Sequence, residues 1–323
     1  MAHLISYELL ATIYAFSMFH DYCEAICGKP FFEPTVSSRP KAGSRIGYGR
    51  EARPHSYPWQ VYIASKFGTM AQTCGGSLLH WKEENASNII LTAAHCIIDV
   101  AQLQEPRSAW EEMRLSLARF FLRDEYYGIK MANASEITVY LGAHDVQMLG
   151  KHVQVAAVST IVLGTFHKYW RKEDIAILKL DRQVAYNHFI QGICLPSENE
   201  TLSEGTACVV TGWGDIELGM PSNRLQQIMV FVHHGNINHP NFKRGDMICA
   251  GTKMEDSGPR KGDSGSPLVC KKNNTYYIQG LVSFRMLNVC TTYLENVAYV
   301  KVPKFLKWLE YNIERLQQNL FSK

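Results

Sequence analysis

The sequence predicts an all-β protein, a sandwich or a barrel, because short β-type runs follow one another along most of the chain. These runs are rich in β-branched and aromatic residues, and Gly, Pro or Asn separates them; WQVYIAS, EITVYLGA, IAILKL and VAYVKV are examples. At 323 residues and 46% hydrophobic, the chain is long enough to bury a full core.

The N-terminal residues 1–25 are predicted to be a signal peptide, because Leu4–Phe19 is apolar like a signal h-region. Glu8 interrupts this stretch, and a buried helix or a membrane anchor are the alternatives. A cut near Ala25 would remove Cys23 and leave an even number of cysteines. Residues 26–45 follow; they are rich in Pro, Gly, Ser and basic residues and are predicted to be an exposed propeptide or linker.

Cysteines and sequons predict a secreted, disulfide-bonded glycoprotein. Nine cysteines are many for a cytosolic enzyme and ordinary for a secreted one. Asn-x-Ser/Thr sequons occur at Asn85, Asn133, Asn199 and Asn273. The net charge is +3 and the chain has no Lys/Arg block, so no nucleic-acid partner is expected.

Two segments have helical periodicity. The first, near 108–123, begins with a capping-box spacing between Ser108 and Glu111. Its apolar residues fall on one helical face: Trp110, Met113, Leu117, Phe120 and Phe121. The second closes the chain from Pro303, with apolar positions Phe305, Leu309, Ile313 and Leu316.

Three motifs place a histidine, an aspartate and a serine in apolar surroundings. LTAAHC carries His95, EDIAILKL carries Asp174, and GDSGSP carries Ser264. Each alone has a structural explanation: a packed core histidine, a solvated strand-end carboxylate and a turn serine. Together they supply what acyl transfer needs, namely a nucleophile, its base, and a carboxylate that orients the base.

These motifs resemble those of the chymotrypsin/trypsin family of serine proteases. LTAAHC, DIAILKL, TGWG, ICAG, GDSG and LVSF occur in that family's order, across residues 46–318, and 319–323 form a tail. The resemblance implies two packed six-stranded antiparallel Greek-key barrels with a C-terminal helix. It implies a secreted endopeptidase that needs no cofactor. Its expected partners are protein or peptide substrates, an activating protease and protein inhibitors.

By the same resemblance, Ser264 is the nucleophile, His95 its general base and Asp174 the carboxylate that holds the imidazole in one tautomer. The backbone N–H groups of Gly262 and Ser264 are expected to form the oxyanion hole. Ser283 is expected to line the substrate backbone site beside the aspartate.

The family is made as a zymogen, so cleavage is expected after Arg45, with the new amino group of Ile46 pairing with Asp263. Gly47-Tyr48 stands where the family has Val-Gly, and a tyrosine strains a turn that normally contains glycine. An uncut surface linker is the alternative.

The resemblance implies three disulfides, which are Cys74–Cys96, Cys208–Cys270 and Cys27–Cys194. Two further family bridges are broken, because Arg260 replaces the usual partner of Cys290 and residues 225–248 offer none for Cys249. These two cysteines are either free thiols or a pair, which geometry decides. The family's calcium-loop carboxylates are missing around Ala143 to Val153, so no metal is implied.

The specificity pocket is expected to differ from that of trypsin. Gly258 stands where trypsin-like enzymes carry an aspartate, and Asp256 would replace it only after a loop shift. Arg285 and Val297 replace two wall glycines, and Phe284 replaces a tryptophan. Cleavage is expected first after small aliphatic residues and second after acidic residues paired to Arg285.

Two questions stay open at this point. The long insertion between His95 and Leu141 is either a helix packed on its own barrel or an exosite or lid beside the cleft. The chain is either an active endopeptidase, as the complete triad favours, or a catalytically impaired binding homologue, as Gly47-Tyr48, Arg260 and Ser266 (in place of glycine) favour. A metalloprotease is excluded because H-E-x-x-H is absent, and a lipase-type elbow because Ser266 replaces its last glycine.

Overall fold

The computed structural model describes residues 27–36, 49–82, 85–99, 110, 113–114, 117, 130–164, 173–198, 200–216, 219–234, 245, 247–252, 257–284, 290 and 295–318. The predicted signal peptide, the Arg45–Ile46 cleavage site, Asn199, Asp256 and Arg285 lie outside these residues. Within them, no helix combines the length and the apolar character that a membrane span requires.

The first half of the chain forms a closed, six-stranded antiparallel barrel. After a short strand β1 (Arg50–Glu51), its strands are β2 (Gln60–Phe67), β3 (Met70–Leu78), β4 (Ala86–Thr92), β5 (Ile137–Leu141), β6 (Gln154–Leu163) and β7 (Ala176–Ala185). They are hydrogen-bonded in the order β2-β3-β4-β7-β6-β5. Alternate side chains point inward, so that Val61 and Ile63 of β2 are buried while Tyr62 and Ala64 are partly exposed.

The second half forms another six-stranded antiparallel barrel from β8 (Ala207–Gly212), β9 (Gln226–His233), β10 (Met247–Thr252), β11 (Pro267–Lys272), β12 (Thr275–Phe284) and β13 (Glu295–Lys301). The order is β9-β10-β13-β12-β11-β8, and pairing of β8 with β9 closes it, while β1 adds to β9. The two barrels confirm the expected all-β architecture.

The predicted C-terminal helix is present as α1 (Leu306–Gln317), after a 3-10 turn at Val302–Phe305. Its buried face, which includes Leu309 and Ile313, joins a core cluster with residues of both barrels. Lys179 Nζ of β7 donates a hydrogen bond to the carbonyl of Leu316 (2.7 Å), which ties the end of α1 to the first barrel.

The insertion after His95 starts and ends as a paired stem. Ala132 N donates to Ile97 O and Asp99 N donates to Lys130 O, each at 2.9 Å. Trp110, Met113, Arg114 and Leu117 are helical, as the pattern predicts. Trp110 is 74% exposed, Met113 48% and Leu117 51%. The interpretation of this face as packed on its own barrel is therefore wrong for these three side chains.

Four disulfides cross-link the described residues. The structure contains the three implied bridges, Cys27–Cys194, Cys74–Cys96 and Cys208–Cys270. It also pairs Cys249 with Cys290, with 5.8 Å between their Cα atoms, which decides the question that the sequence left open. Such a set of bridges is typical of extracellular proteins.

Residues 27–36 are attached to the connection between β7 and β8 and to strand β12. Beyond the Cys27–Cys194 bridge, Gly28 N donates to Gly192 O (3.0 Å) and Tyr276 N donates to Gly28 O (2.8 Å). Gly28 has a φ of 64°, and a Cβ there would collide with the Tyr276 carbonyl. The start of this segment is therefore held against the domain by a disulfide and two backbone hydrogen bonds. Three sequon asparagines elsewhere on the chain are exposed, namely Asn85, Asn133 and Asn273.

Candidate active site

His95 and Asp174 lie close together because His95 follows β4, Asp174 precedes β7, and these two strands are paired. Thr92, the last residue of β4, is opposite Ala176, the first residue of β7. His95 lies three residues after Thr92 in a 3-10 turn, and Asp174 two residues before Ala176. His95 Nδ1 is 2.7 Å from Asp174 Oδ2, and His95 N donates to Asp174 Oδ1 at 2.9 Å.

Asp174 is fully buried and receives a third hydrogen bond, from the hydroxyl of Ser283. Burial alone would raise the pKa of this carboxyl, but the charge of His95 and the three hydrogen bonds outweigh it and place the pKa below its usual value. Asp174 is therefore ionised at neutral pH. An ionised partner at Nδ1 selects the imidazole tautomer whose Nε2 accepts a proton.

Ser264 lies in a turn of the second barrel that packs on the strand end before His95. Its carbonyl accepts a hydrogen bond from Gly75 N of β3 at 2.8 Å. The adjacent Gly265 has a φ of 75°, and a Cβ there would lie 3.0 Å from Ala93 N. Within the described part of the chain, the Ser264 hydroxyl makes no hydrogen bond to the His95 ring. Such bonds are often long in enzymes without substrate.

The N–H groups expected to form the oxyanion hole belong to the turn that contains Ser264. Among the residues that the structure describes, neither Gly262 N nor Ser264 N donates a hydrogen bond. Gly262 has a φ of 96°, a conformation that favours glycine. A Cβ on it would lie 2.9 Å from the Gly214 Cα. Two backbone donors are thus available on the serine turn.

The side chain of Asp263 anchors the serine turn by accepting two backbone hydrogen bonds. Its Oδ1 accepts from Gly214 N (2.8 Å) and its Oδ2 from Arg260 N (2.9 Å). A Cβ on Gly214 would lie 2.5 Å from the Asp263 carboxyl carbon, which explains the second glycine of TGWG. Burial raises the pKa of Asp263 to about 6, although both N–H groups favour the ionised form.

The protein-family model described as Trypsin matches the chain over residues 46–126 and 129–309. The chain belongs to the trypsin family. The match confirms the resemblance, and it makes a serine protease fold the setting of the residues described above.

Two departures from the usual trypsin-family sequence are accommodated by local contacts. Ser266, fully buried, accepts a hydrogen bond from Gln60 Nε2 (3.2 Å), whose Oε1 accepts from Thr211 (2.7 Å). A Cβ on Gly75 would collide with the Ser266 hydroxyl, so glycine at 75 makes room for it. Arg260 replaces a cysteine, but its N–H still holds Asp263.

The described part of the expected specificity pocket is apolar. Gly258 has a φ of 133°, and nothing lies within 4 Å of where its Cβ would be. Val297 is 3% exposed and Phe284 7% exposed. Val297 is paired with Ala250 across β10 and β13 and packs in the core of the second barrel. Gly258, Phe284 and Val297 together offer no charge to a substrate.

Tyr299 was not singled out by the sequence, although it lies two residues after Val297 and therefore on the same face of β13. Its side chain is fully buried, and its hydroxyl has no hydrogen-bond partner among the described residues. Burial, and to a smaller extent the charge of Asp263, raise the pKa of Tyr299 far above its usual value. Because side chains alternate along a strand, the expected pocket position at Val297 was the sequence signal that could have indicated Tyr299.

Proposed function

We propose that the chain is a secreted serine endopeptidase with Ser264 as nucleophile, His95 as general base and Asp174 as the orienting carboxylate. Membership of the trypsin family supports a serine protease acting on protein or peptide substrates. The observation that carries the proposal is the hydrogen-bonded pair of His95 and the fully buried Asp174, which the Ser283 hydroxyl also contacts.

In the proposed reaction, Ser264 Oγ attacks the scissile carbonyl carbon while His95 Nε2 takes the hydroxyl proton. The carbonyl oxygen becomes an oxyanion, to which Gly262 N and Ser264 N donate. Asp174 stabilises the imidazolium, which then gives its proton to the departing amine. Water repeats the sequence on the acyl-enzyme: His95 takes its proton, and the acid product leaves as Ser264 regains the hydrogen.

Activation is proposed to follow cleavage after Arg45, when the amino group of Ile46 pairs with Asp263. The raised pKa of Asp263, about 6, supports this, because a buried carboxylate gains most from a cation. The Cys27–Cys194 bridge would keep residues 26–45 attached to the domain after the cut.

The test is to cleave the purified protein after Arg45 and treat it with a fluorophosphonate probe. Labelling at Ser264, found by mass spectrometry of the peptide, is the expected result, with the uncleaved protein as the control. An activated protein that stays unlabelled would favour a binding protein on a protease scaffold.

Gly214→Ala is expected to lower kcat by about 10²–10³, the usual cost of losing an oxyanion donor. The new Cβ would lie 2.5 Å from the Asp263 carboxyl carbon and force that side chain, and the turn above it, to move. Steady-state kinetics on one peptide would measure the loss. Gly245→Ala is the matched control, because nothing lies within 4 Å of a Cβ there. Equal kinetics for both variants would contradict this account of the turn.

Substrate preference is expected to favour small aliphatic residues before the cut, then acidic ones, over Lys and Arg by about tenfold or more. Gly258 offers no counter-charge, and Val297, which replaces a wall glycine, is proposed to narrow the pocket. A peptide library varied at this position would measure it. If acidic residues rank first, Arg285→Gly should erase that preference and leave cleavage after alanine or valine intact. A strong preference for Lys or Arg would refute the pocket assignment.

A further inference from the structure

Three histidine rings form a compact group away from the active site. His55, His144 and His152 are called the histidine cluster below. The ring centroids of His55 and His152 are 4.3 Å apart, and those of His55 and His144 are 6.2 Å apart. Phe189 packs against His55 (4.9 Å) and His152 (4.5 Å). In the part of the chain that the structure describes, no group of His, Cys, Asp or Glu is arranged to hold a metal ion.

The surroundings of His55 disfavour its protonated form. The Nδ1 atoms of His55 and His144 are buried, and neither has a hydrogen-bond partner among the described residues. A proton on His55 would place a positive charge beside the rings of His144 and His152, and the backbone of Gly142 is the one group near His55 that favours that proton. Burial, then the neighbouring His152 and His144, lower the pKa of His55 to about 4.

Among the described residues, one carboxylate, that of Glu51, is paired with a ring of the cluster. Glu51 accepts from His144 Nε2 at 3.0 Å, and its carboxylate also faces Arg224 at 3.4 Å. Four further groups on the packed elements have other partners: Asp145 pairs with Arg224, Arg53 lies over Phe32, Glu33 pairs with Lys271, and His188 stacks on Phe31. Lys151, beside His152 on the loop, is exposed.

The cluster connects to the serine turn through one carbonyl. The oxygen of His144 accepts hydrogen bonds from Trp213 Nε1 (3.1 Å) and Leu225 N (2.8 Å). Trp213 precedes Gly214, whose N–H donates to Asp263. Asp263 in turn precedes Ser264. A movement of the 142–153 loop would therefore withdraw an acceptor that holds Trp213 in place.

We propose that the histidine cluster is an acid-sensitive latch, in which a proton on His55 detaches the 142–153 loop and thereby loosens Trp213 and the Asp263 turn. The opening of the 142–153 loop does not depend on whether the protein is a protease, whereas an effect of the opening on catalysis rests on the proposed function.

The direction with pH follows from linkage. The pKa of His55 is lower in the closed structure, about 4, than the ordinary 6.5 of an exposed imidazole. The open form therefore binds the proton better, so closure is favoured above pH 6.5 and loses that advantage as pH falls toward 4. At pH 5 the open population should rise about thirtyfold over its value above pH 7. The titration of Asp263 has the opposite effect: its pKa is raised in the folded structure, so a fall in pH stabilises the buried position of its side chain.

Hydrogen–deuterium exchange of the full chain at pH 7.5 and pH 5.0, corrected for intrinsic exchange rates, tests the latch without any activity measurement. Protection over 142–153 and at 213–214 is expected to fall about thirtyfold in acid. In His55→Asn, an amide N–H replaces the imidazole donor, and asparagine tolerates the φ of 60° at this position. This variant should lose most of the acid-induced fall in protection. His152→Gln should reduce it, and His188→Gln, an exposed control, should not.

Unchanged protection of the natural protein in acid would overturn the proposal. So would a full fall that persists in both His55→Asn and His152→Gln; if one of these variants does not fold, the other decides. Fluorophosphonate labelling of the cleaved protein is scored separately. A protein that never labels but shows the latch in exchange would refute the protease function and leave the latch standing.

Discussion

Ser264→Ala is expected to lower kcat of the cleaved protein by about 10⁶ and to abolish fluorophosphonate labelling. The variant removes the only atom of Ser264 that forms a bond to the substrate acyl group, while the N–H that serves the oxyanion stays in place. Peptide cleavage and probe labelling measure the loss. Folding should change little, by about 0.5 kcal/mol or less, because the hydroxyl makes no hydrogen bond within the described structure, whereas the carbonyl that binds Gly75 is kept.

Ser266→Ala is the matched control, two residues away. Its hydroxyl is a structural group, fully buried and bonded to Gln60, so its loss leaves a buried amide donor unpaired. That should lower the free energy of unfolding by about 1–3 kcal/mol and leave kcat nearly unchanged. Chemical denaturation and active-site titration of both variants separate the two roles. Equal activity of Ser264→Ala and the natural protein would refute the mechanism.

Asp174→Asn is expected to lower kcat by about 10⁴. Asp174 accepts hydrogen bonds from the ring of His95, its backbone N–H and the Ser283 hydroxyl. An amide has one oxygen for these three donors, and its NH₂ would face His95 Nδ1 and favour the wrong imidazole tautomer. The base then presents N–H, not a lone pair, to Ser264.

The rate of probe labelling and kcat/KM on one peptide would measure this loss. Asp181→Asn is the control: it lies on the same strand, β7, but is exposed and pairs with Arg182 at the surface. It should behave like the natural protein. A loss smaller than tenfold for Asp174→Asn would mean that His95 does not depend on this carboxylate.

Much of the fold and of the proposed triad is determined by the sequence alone. Strand positions follow from alternation of neighbouring side chains, and the C-terminal helix follows from its apolar spacing after Pro303. His95 and Asp174 lie within three residues of the ends of β4 and β7. Once those strands pair, their side chains must meet. The glycines of GDSG are visible in the sequence, but the positive φ values that require Gly262 and Gly265 come from the structure.

Only the tertiary structure decided the contacts between distant segments. The pairing of Cys249 with Cys290 spans 41 residues, and the Gln60 amide that accommodates Ser266 comes from the other barrel, 206 residues away. The histidine cluster joins segments on either side of β5, and the exposure of Trp110 could not be read from its helical periodicity. The physical reason is that local periodicity tells which face of an element is apolar, but barrel closure and strand register set which side chain meets that face.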